Sequence, residues 1–238
     1  MMSLEFNVVL MLLIGYLFGS IPVAYIYCKS FGINIFNEGS GNPGSTNVKR
    51  VLGKKHGNIV FAFDILKTLT PIFVAHLIVI SMWGNSGITS FTSIINHNLS
   101  LNLKILNEQT LRDPFVIFTT GFGAILGHNY PFTTKFKGGK GIACTVAVVA
   151  YFNVIFAIVL YLIHKLIGKF TGYVSVASIL TLVVLFISSF ILSSFKIHPF
   201  NFDYTNVVLV EIFIIMVLGI ARHKDNIKRY RTGKENKI

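Results

Sequence analysis

The stretch Gly39-Ser40-Gly41-Asn42-Pro43-Gly44-Ser45-Thr46-Asn47 holds no bulky apolar side chain, is followed by Lys49 and Arg50, and lies between two long apolar segments. Glycine reaches left-handed backbone conformations and lets a ligand come close, while Ser40, Asn42, Thr46 and Asn47 supply short hydrogen-bonding groups and Arg50 a fixed charge. That combination suits a phosphorylated ligand; the competing reading is a solvated linker between membrane helices. A second stretch of the same character favours the ligand. Gly127-His128-Asn129-Tyr130-Pro131, then Lys135-Phe136-Lys137-Gly138-Gly139-Lys140-Gly141, runs straight into an apolar helix. Free backbone N–H groups and the positive helix end point at an anion there while lysine neutralises it. The pattern is not a P-loop, because Lys140 is followed by Gly141 rather than Ser or Thr. For Lys135 and Lys137 the alternative role is anchoring to lipid headgroups.

A third polar cluster, His223, Asn226, Arg229, Gly233 and Glu235, begins just after an apolar run ends at Ala221. If the helix continues, His223 and Asn226 share a face with Arg229 and Tyr230. Asp64 and Lys67 stand one helical turn apart, which predicts an ion pair rather than two lone charges in lipid. Ser175 and Ser178 are also one turn apart; they either present hydroxyls to the same site or bond backbone as packing residues. Glu211, His76 and His164 have no evident sequence partner and stay unassigned.

The elements that must position these groups are membrane helices. Of the 238 residues 53% are hydrophobic and only 13% charged, with 22 Phe, which excludes an ordinary soluble domain and indicates a polytopic membrane protein. The net charge of +12 marks cytoplasmic loops first and anionic ligands or lipids second; nucleic acid is a poor reading. Cys28 and Cys144 have neither metal-like nor disulfide-like spacing, and no metal cluster or cofactor motif is evident. Met1 to Phe6 has no Lys or Arg, so the first helix is expected to be retained rather than cleaved as a signal peptide.

Apolar runs near 6–27, 58–83, 172–195 and 205–221 are long enough to cross about 30 Å of hydrocarbon at about 20 residues each, and 114–128 is shorter. Loops 28–57 and 129–141, the segment Lys165–Lys169 and the carboxyl tail are all basic, so all four are expected on the cytoplasmic side. That requires the run 142–163 to turn near Tyr151-Phe152-Asn153 as a broken or re-entrant pair, or as helices extended into the loops. The expected fold is therefore all-α: one integral membrane domain over 1–238, a bundle of about seven transmembrane helices with a short or broken pair around Asn153, and the amino terminus outside. Residues 84–113, rich in Asn, Ser and Thr, would then form an outer cap.

These blocks, in this order and spacing, resemble the bacterial acyl-phosphate:glycerol-3-phosphate acyltransferases over nearly the whole chain. Gly19-Ser20-Ile21-Pro22 comes first. Gly39 to Asn47 with Arg50 is similar to the family's first motif, with Ser45 where alanine is usual; Phe63-Asp64-Ile65-Leu66-Lys67 matches the next helix, with Thr68 where glycine is usual. Gly127-His128-Asn129 with Lys135 to Gly141 is similar to the second motif and Tyr173-Val174-Ser175 to a helical signature. Arg222-His223, Asn226, Arg229, Gly233 and Glu235 resemble the third, with Lys234 in place of threonine.

The resemblance implies a multi-pass enzyme of the bacterial cell membrane that moves a fatty acyl group from acyl phosphate to the 1-hydroxyl of glycerol 3-phosphate. The products would be lysophosphatidate and inorganic phosphate, at the start of phospholipid synthesis, with a functional link to the enzyme that supplies acyl phosphate. No His-x4-Asp pair of the thioester-using acyltransferases occurs in the segments read as cytoplasmic. Ser40, Arg50, Lys140, His223 and Asn226 are the expected catalytic residues. Gly41, Asn42, Thr46, Asn47, Lys67, His128, Asn129, Lys137, Gly138, Gly139, Gly141, Ser175, Ser178 and Arg229 are expected to bind substrate, and Asp64 and Glu235 to be structural. His223 or a phosphate oxygen would take the hydroxyl proton, and acyl phosphate is activated enough to need no acyl-enzyme. A transporter of a phosphorylated or anionic metabolite is the alternative, since broken helices and glycine-rich anion sites also mark carriers. A noncatalytic lipid-binding subunit explains the basic loops but not Ser, Asn and Thr beside glycine.

Overall fold

A computed structural model describes residues 4–83, 108–200 and 206–237, so most of the expected outer cap lies outside the described residues. Among them there are ten α-helices and no strand: α1 (Leu4–Gly19), α2 (Val23–Lys29), α3 (Ser45–Leu52), α4 (Lys54–Trp83), α5 (Glu108–Asn129), α6 (Ile142–Phe152), α7 (Val154–Thr171), α8 (Val174–Ser194), α9 (Asn206–Arg222) and α10 (Lys224–Arg231). Four stretches are long and apolar enough to cross a membrane: Phe6–Lys29, Lys54–Ile78, Val154–Thr171 and Val174–Ser194. A fifth is added if α9 and α10, bent by 49°, count as one. The helical membrane architecture matches the sequence expectation; the described spans number four or five, not the full seven.

Two breaks shape the path of the chain. Pro22 has no N–H and its ring would clash inside a helix, so the first apolar run divides into α1 and α2 at Ser20-Ile21-Pro22, a break that hydropathy does not show. The second break lies where it was expected. Asn153 leaves helical geometry (φ −152°, ψ 98°) and its side chain accepts the N–H of Phe156 at 2.9 Å, capping α7. The two sides are unequal. α6 has 11 residues, about 16 Å at 1.5 Å per residue and roughly half a hydrocarbon core. α7 runs on through Lys165–Lys169 to Thr171, so that basic segment is the end of a helix rather than a loop.

By contacts the described chain divides into two compact units. One holds the residues up to Ala75 together with Ile117–Val148; the other holds His76–Val116 and Val149 onward. In the first, α1 and α5 meet backbone to backbone. A Cβ at Gly15 would run into the Thr120 carbonyl, one at Gly19 into that of Ala124, one at Gly123 into that of Leu12 and one at Gly127 into that of Tyr16. Both helices thus use a Gly-x-x-x-Gly face, the small-residue packing that lets membrane helices approach closely. Polar clamps lock the Gly19–Gly127 end of this contact, with the Tyr16 hydroxyl donating to the Tyr130 carbonyl at 2.9 Å and that of Thr133 to the Ser20 carbonyl at 2.7 Å. A separate core of Ala24, Cys28, Ile35, Val48 and Val60 packs α2, α3 and α4 together beneath the first polar loop.

In the second unit α7 and α8 form a tight helical hairpin through Gly172, whose φ of 78° favours glycine. His164 meets Thr181 across it at 3.4 Å. Gly219 of α9 sits where a Cβ would collide with Leu182 of α8. His76, unassigned from sequence, meets the Tyr151 hydroxyl at 2.6 Å, and Glu211 is buried on α9.

The α1–α5 contact gives a direct prediction. Gly123→Val places branched carbons against the α1 backbone and should destabilise the protein by about 3 kcal/mol. Thermal unfolding in detergent, followed by the fraction remaining monodisperse on gel filtration, should show a clear drop for Gly123→Val and little change for Val9→Ala, because the Val9 side chain is exposed on α1.

Candidate active site

The first polar loop is folded by its own side chains. Asn47 is almost wholly buried; its amide oxygen accepts the Ser40 N–H at 2.8 Å and its amide nitrogen donates to the Glu38 carbonyl at 2.8 Å. Asn47, expected to touch substrate, is therefore committed to holding the loop. Gly39 and Gly41 have φ of 56° and 69°, conformations that L side chains rarely adopt. A Cβ on Gly39 would strike the Asn47 amide oxygen. The result is a scaffolded loop on which Ser40 and Asn42 are half-buried while Thr46 and Arg50, both on α3, are exposed. Ser45, the departure from the family pattern, is simply the first residue of α3.

The second loop is built around His128 and Asn129 at the end of α5. Gly139 donates its N–H to the His128 carbonyl at 3.0 Å. A Cβ on Gly138 would strike that carbonyl, and one on Gly139 the His128 ring. Asn129 is buried beside Gly141, whose φ of 78° turns the chain into α6. Lys140 is half-buried just ahead of that helix start, and Lys137 is exposed. Lys135 and Phe136 both adopt positive φ, 53° and 61°, rare for residues with side chains.

Behind this loop lies a buried ionic cluster. Lys67 Nζ is 3.0 Å from Asp64 Oδ1 and donates to the Ile21 carbonyl at 2.8 Å, at the break between α1 and α2. The Nδ1 of His128 lies 3.4 Å from the same carboxylate oxygen. The ion pair expected from the Asp64–Lys67 spacing is present, and Lys67 also lines the recess between the loops. Thr68 bonds back to the Asp64 carbonyl at 2.9 Å, so its hydroxyl is satisfied where the family usually has glycine. One recess joins these parts: Pro43 from the first loop and Lys137, Gly138 and Gly139 from the second line it, over Asp64, Lys67 and His128. Among the described residues no group of three or more His, Cys, Asp and Glu is arranged to hold a metal ion.

The third cluster belongs to the second unit and is organised by Glu235. One carboxylate oxygen accepts from the Ser175 hydroxyl at 2.8 Å and the Asn226 amide at 2.6 Å; the other accepts Arg229 Nε at 2.8 Å. Ser175 and Arg229, expected to bind substrate, thus bind Glu235. Ser178 bonds back to the Val174 carbonyl at 2.9 Å, the packing role. The last apolar helix does not continue straight: it bends at His223. Asn226 and Arg229 still share the α10 face that meets Glu235, and Gly233, at φ 68°, turns the chain back. His223 is buried, with Nδ1 2.6 Å from the Gly219 carbonyl. A carbonyl only accepts, so Nδ1 carries a proton.

Residues 9–233 match the family model described as glycerol-3-phosphate acyltransferase. The chain belongs to the glycerol-3-phosphate acyltransferase family. Curated members bear this out over their length: a glycerol-3-phosphate acyltransferase from Aquifex aeolicus is 33% identical over 228 residues, 96% of this chain and 97% of that one. One from Streptococcus thermophilus is 34% identical, covering 98% and 93%. The fold is similar to the crystal structure of an integral membrane glycerol 3-phosphate acyltransferase in its glycerol 3-phosphate form. The TM-score is 0.72 at 32% identity, covering 97% of this chain and 95% of that one. The lysophosphatidic acid form of that protein gives 0.69. As a member of the glycerol-3-phosphate acyltransferase family, the chain is an integral membrane acyltransferase, which speaks against the transporter reading.

Sequence reading missed the Gly-x-x-x-Gly faces of α1 and α5, although the spacing was visible, and the role of Asn47 as scaffold, for which residue type gives no signal. Glu235 carries a pH prediction. Burial pushes its carboxyl up, but the hydrogen bonds from Asn226 and Ser175 and the bond and charge of Arg229 outweigh this and hold it below the ordinary carboxylate range. Its stabilising effect is therefore complete above that range, near pH 4.3, and is lost as pH falls through the depressed value. Hydrogen exchange across 224–235, corrected for intrinsic rates, should accelerate below pH 4 in the wild type. In Glu235→Gln, weakened by about 2 kcal/mol, it should be fast already at neutral pH.

Proposed function

We propose that the chain transfers a fatty acyl group from acyl phosphate to the 1-hydroxyl of glycerol 3-phosphate, giving lysophosphatidate and inorganic phosphate. The observation that carries this reading is that the two glycine-rich loops, each held by its own contacts, come together where Pro43 of the first and Lys137, Gly138 and Gly139 of the second line one recess. Both substrates bear phosphate, and the attacked carbonyl and the leaving group both gain negative charge. Preorganised N–H donors and cations that bind one phosphate therefore also stabilise the transition state.

In this reading Ser40, Asn42, Thr46 and Arg50, with the backbone at Gly41, receive the phosphate of acyl phosphate. Lys137, Lys140 and the N–H groups at the start of α6, around Gly141 and Ile142, hold glycerol 3-phosphate. O1 attacks the acyl carbon, the bond from that carbon to the phosphate oxygen breaks, and phosphate departs with the electron pair. A phosphate oxygen can accept the hydroxyl proton. No acyl-enzyme is required, because acyl phosphate is already an activated anhydride. The basic loops support a reading in which this chemistry lies on the cytoplasmic face of the bacterial cell membrane, with the amino terminus outside.

Purified protein in detergent micelles, given acyl phosphate and glycerol 3-phosphate, should form lysophosphatidate and phosphate in equal amounts without sealed vesicles. Arg50→Ala and Lys140→Ala should each lower kcat/KM by about 10²- to 10³-fold. Absence of acyl transfer, together with uptake of glycerol 3-phosphate into sealed vesicles, would establish a carrier instead.

A further inference from the structure

His128, expected from sequence to bind substrate, lines the recess but is given no role in the steps above, and its placement is tightly specified. Its ring is buried; Nδ1 faces Asp64 Oδ1 at 3.4 Å, and Asp64 is held by Lys67, itself tied to the Ile21 carbonyl. The opposite edge of the ring faces the second loop. A Cβ added to Gly139 would strike Nε2 and come within 2.8 Å of Cε1 and 2.9 Å of Cδ2, while the His128 carbonyl accepts the Gly139 N–H. His128 thus supplies both a hydrogen bond and the steric limit at Gly139, while Pro131 and the Asn129 carbonyl crowd Gly138 beside it. Apolar side chains of similar volume would fill this space with no desolvation cost, so packing alone does not call for a buried charged triad. A fixed ring orientation does.

We propose that His128 is a positioning residue: clamped by Asp64 and Lys67, its ring is the template against which Gly138-Gly139 folds, and it thereby sets the affinity of the second loop for the phosphate of glycerol 3-phosphate. This rests on the reading of that loop as the glycerol 3-phosphate site. The template acts through Gly139, so the effects of altering the two residues are coupled rather than additive. The first loop is held by Asn47 and not by His128. Affinity for acyl phosphate is therefore unaffected.

The test is a kinetic cycle of wild type, His128→Ala, Gly139→Ala and the double variant, each checked for monodispersity and thermal unfolding in detergent. Gly139→Ala should raise KM for glycerol 3-phosphate at least tenfold while KM for acyl phosphate stays within twofold. In the His128→Ala background, adding Gly139→Ala should change KM by less than twofold, since the ring it would strike is gone. If His128→Ala does not survive purification, Asp64→Asn, which keeps the side-chain shape, is read the same way and should raise the same KM at least threefold. Additive effects in the cycle, equal rises in both KM values, or a fall in kcat with KM unchanged would each overturn the proposal. An unaltered protein that transfers no acyl group contradicts the reading of function instead.

Discussion

One buried carboxylate organises the first unit. Asp64 sits in the middle of a membrane-spanning helix, where an unpaired charge is costly, and the cost is met by Lys67 one turn away and His128 from α5. Because Lys67 also bonds the Ile21 carbonyl at the helix break, three chain segments distant in sequence are joined at one point. Removing one partner from such a group typically costs about 3–5 kcal/mol, since the others are left buried and uncompensated. The second loop folds against His128, so the groups proposed to meet phosphate inherit their placement from an interaction that itself never needs to touch substrate.

Around that point the unit is assembled by absence of side chains as much as by their presence. Gly15, Gly19, Gly123 and Gly127 bring α1 and α5 to backbone contact, and Gly138 and Gly139 let the second loop lie on His128 and Asn129. In the first loop an amide does the equivalent work, Asn47 bridging Glu38 and Ser40. Both loops are thus held by contacts within the protein itself, which reduces the ordering cost of binding and of catalysis. The second unit repeats the device with the opposite arrangement: a buried acid, Glu235, gathers donors from α8 and α10 and fixes the carboxyl tail.

Much of this was legible in the residues. Hydropathy marks the spans, basic loops require the chain to turn near Asn153, and the three-residue spacing of Asp64 and Lys67 foretells their pairing. The family blocks identify the loops. What stayed hidden has a common cause: residue type shows that a side chain can bond, not which partner it finds. Asn47, Ser175 and Arg229 look like ligand contacts and are spent on the protein itself. The break at Pro22 is masked because the apolar run continues across it, and α7 absorbs Lys165–Lys169 because a basic turn of helix and a basic loop have the same composition.

The central claim is that the Asp64–Lys67–His128 cluster holds the second loop in place. Hydrogen exchange measured by mass spectrometry on wild type and Asp64→Asn, both in the same detergent and without substrate, tests it most directly. The account predicts faster exchange in peptides covering 136–144 with 175–190 unchanged. Unaltered protection of 136–144, or a uniform acceleration across both regions, would contradict it.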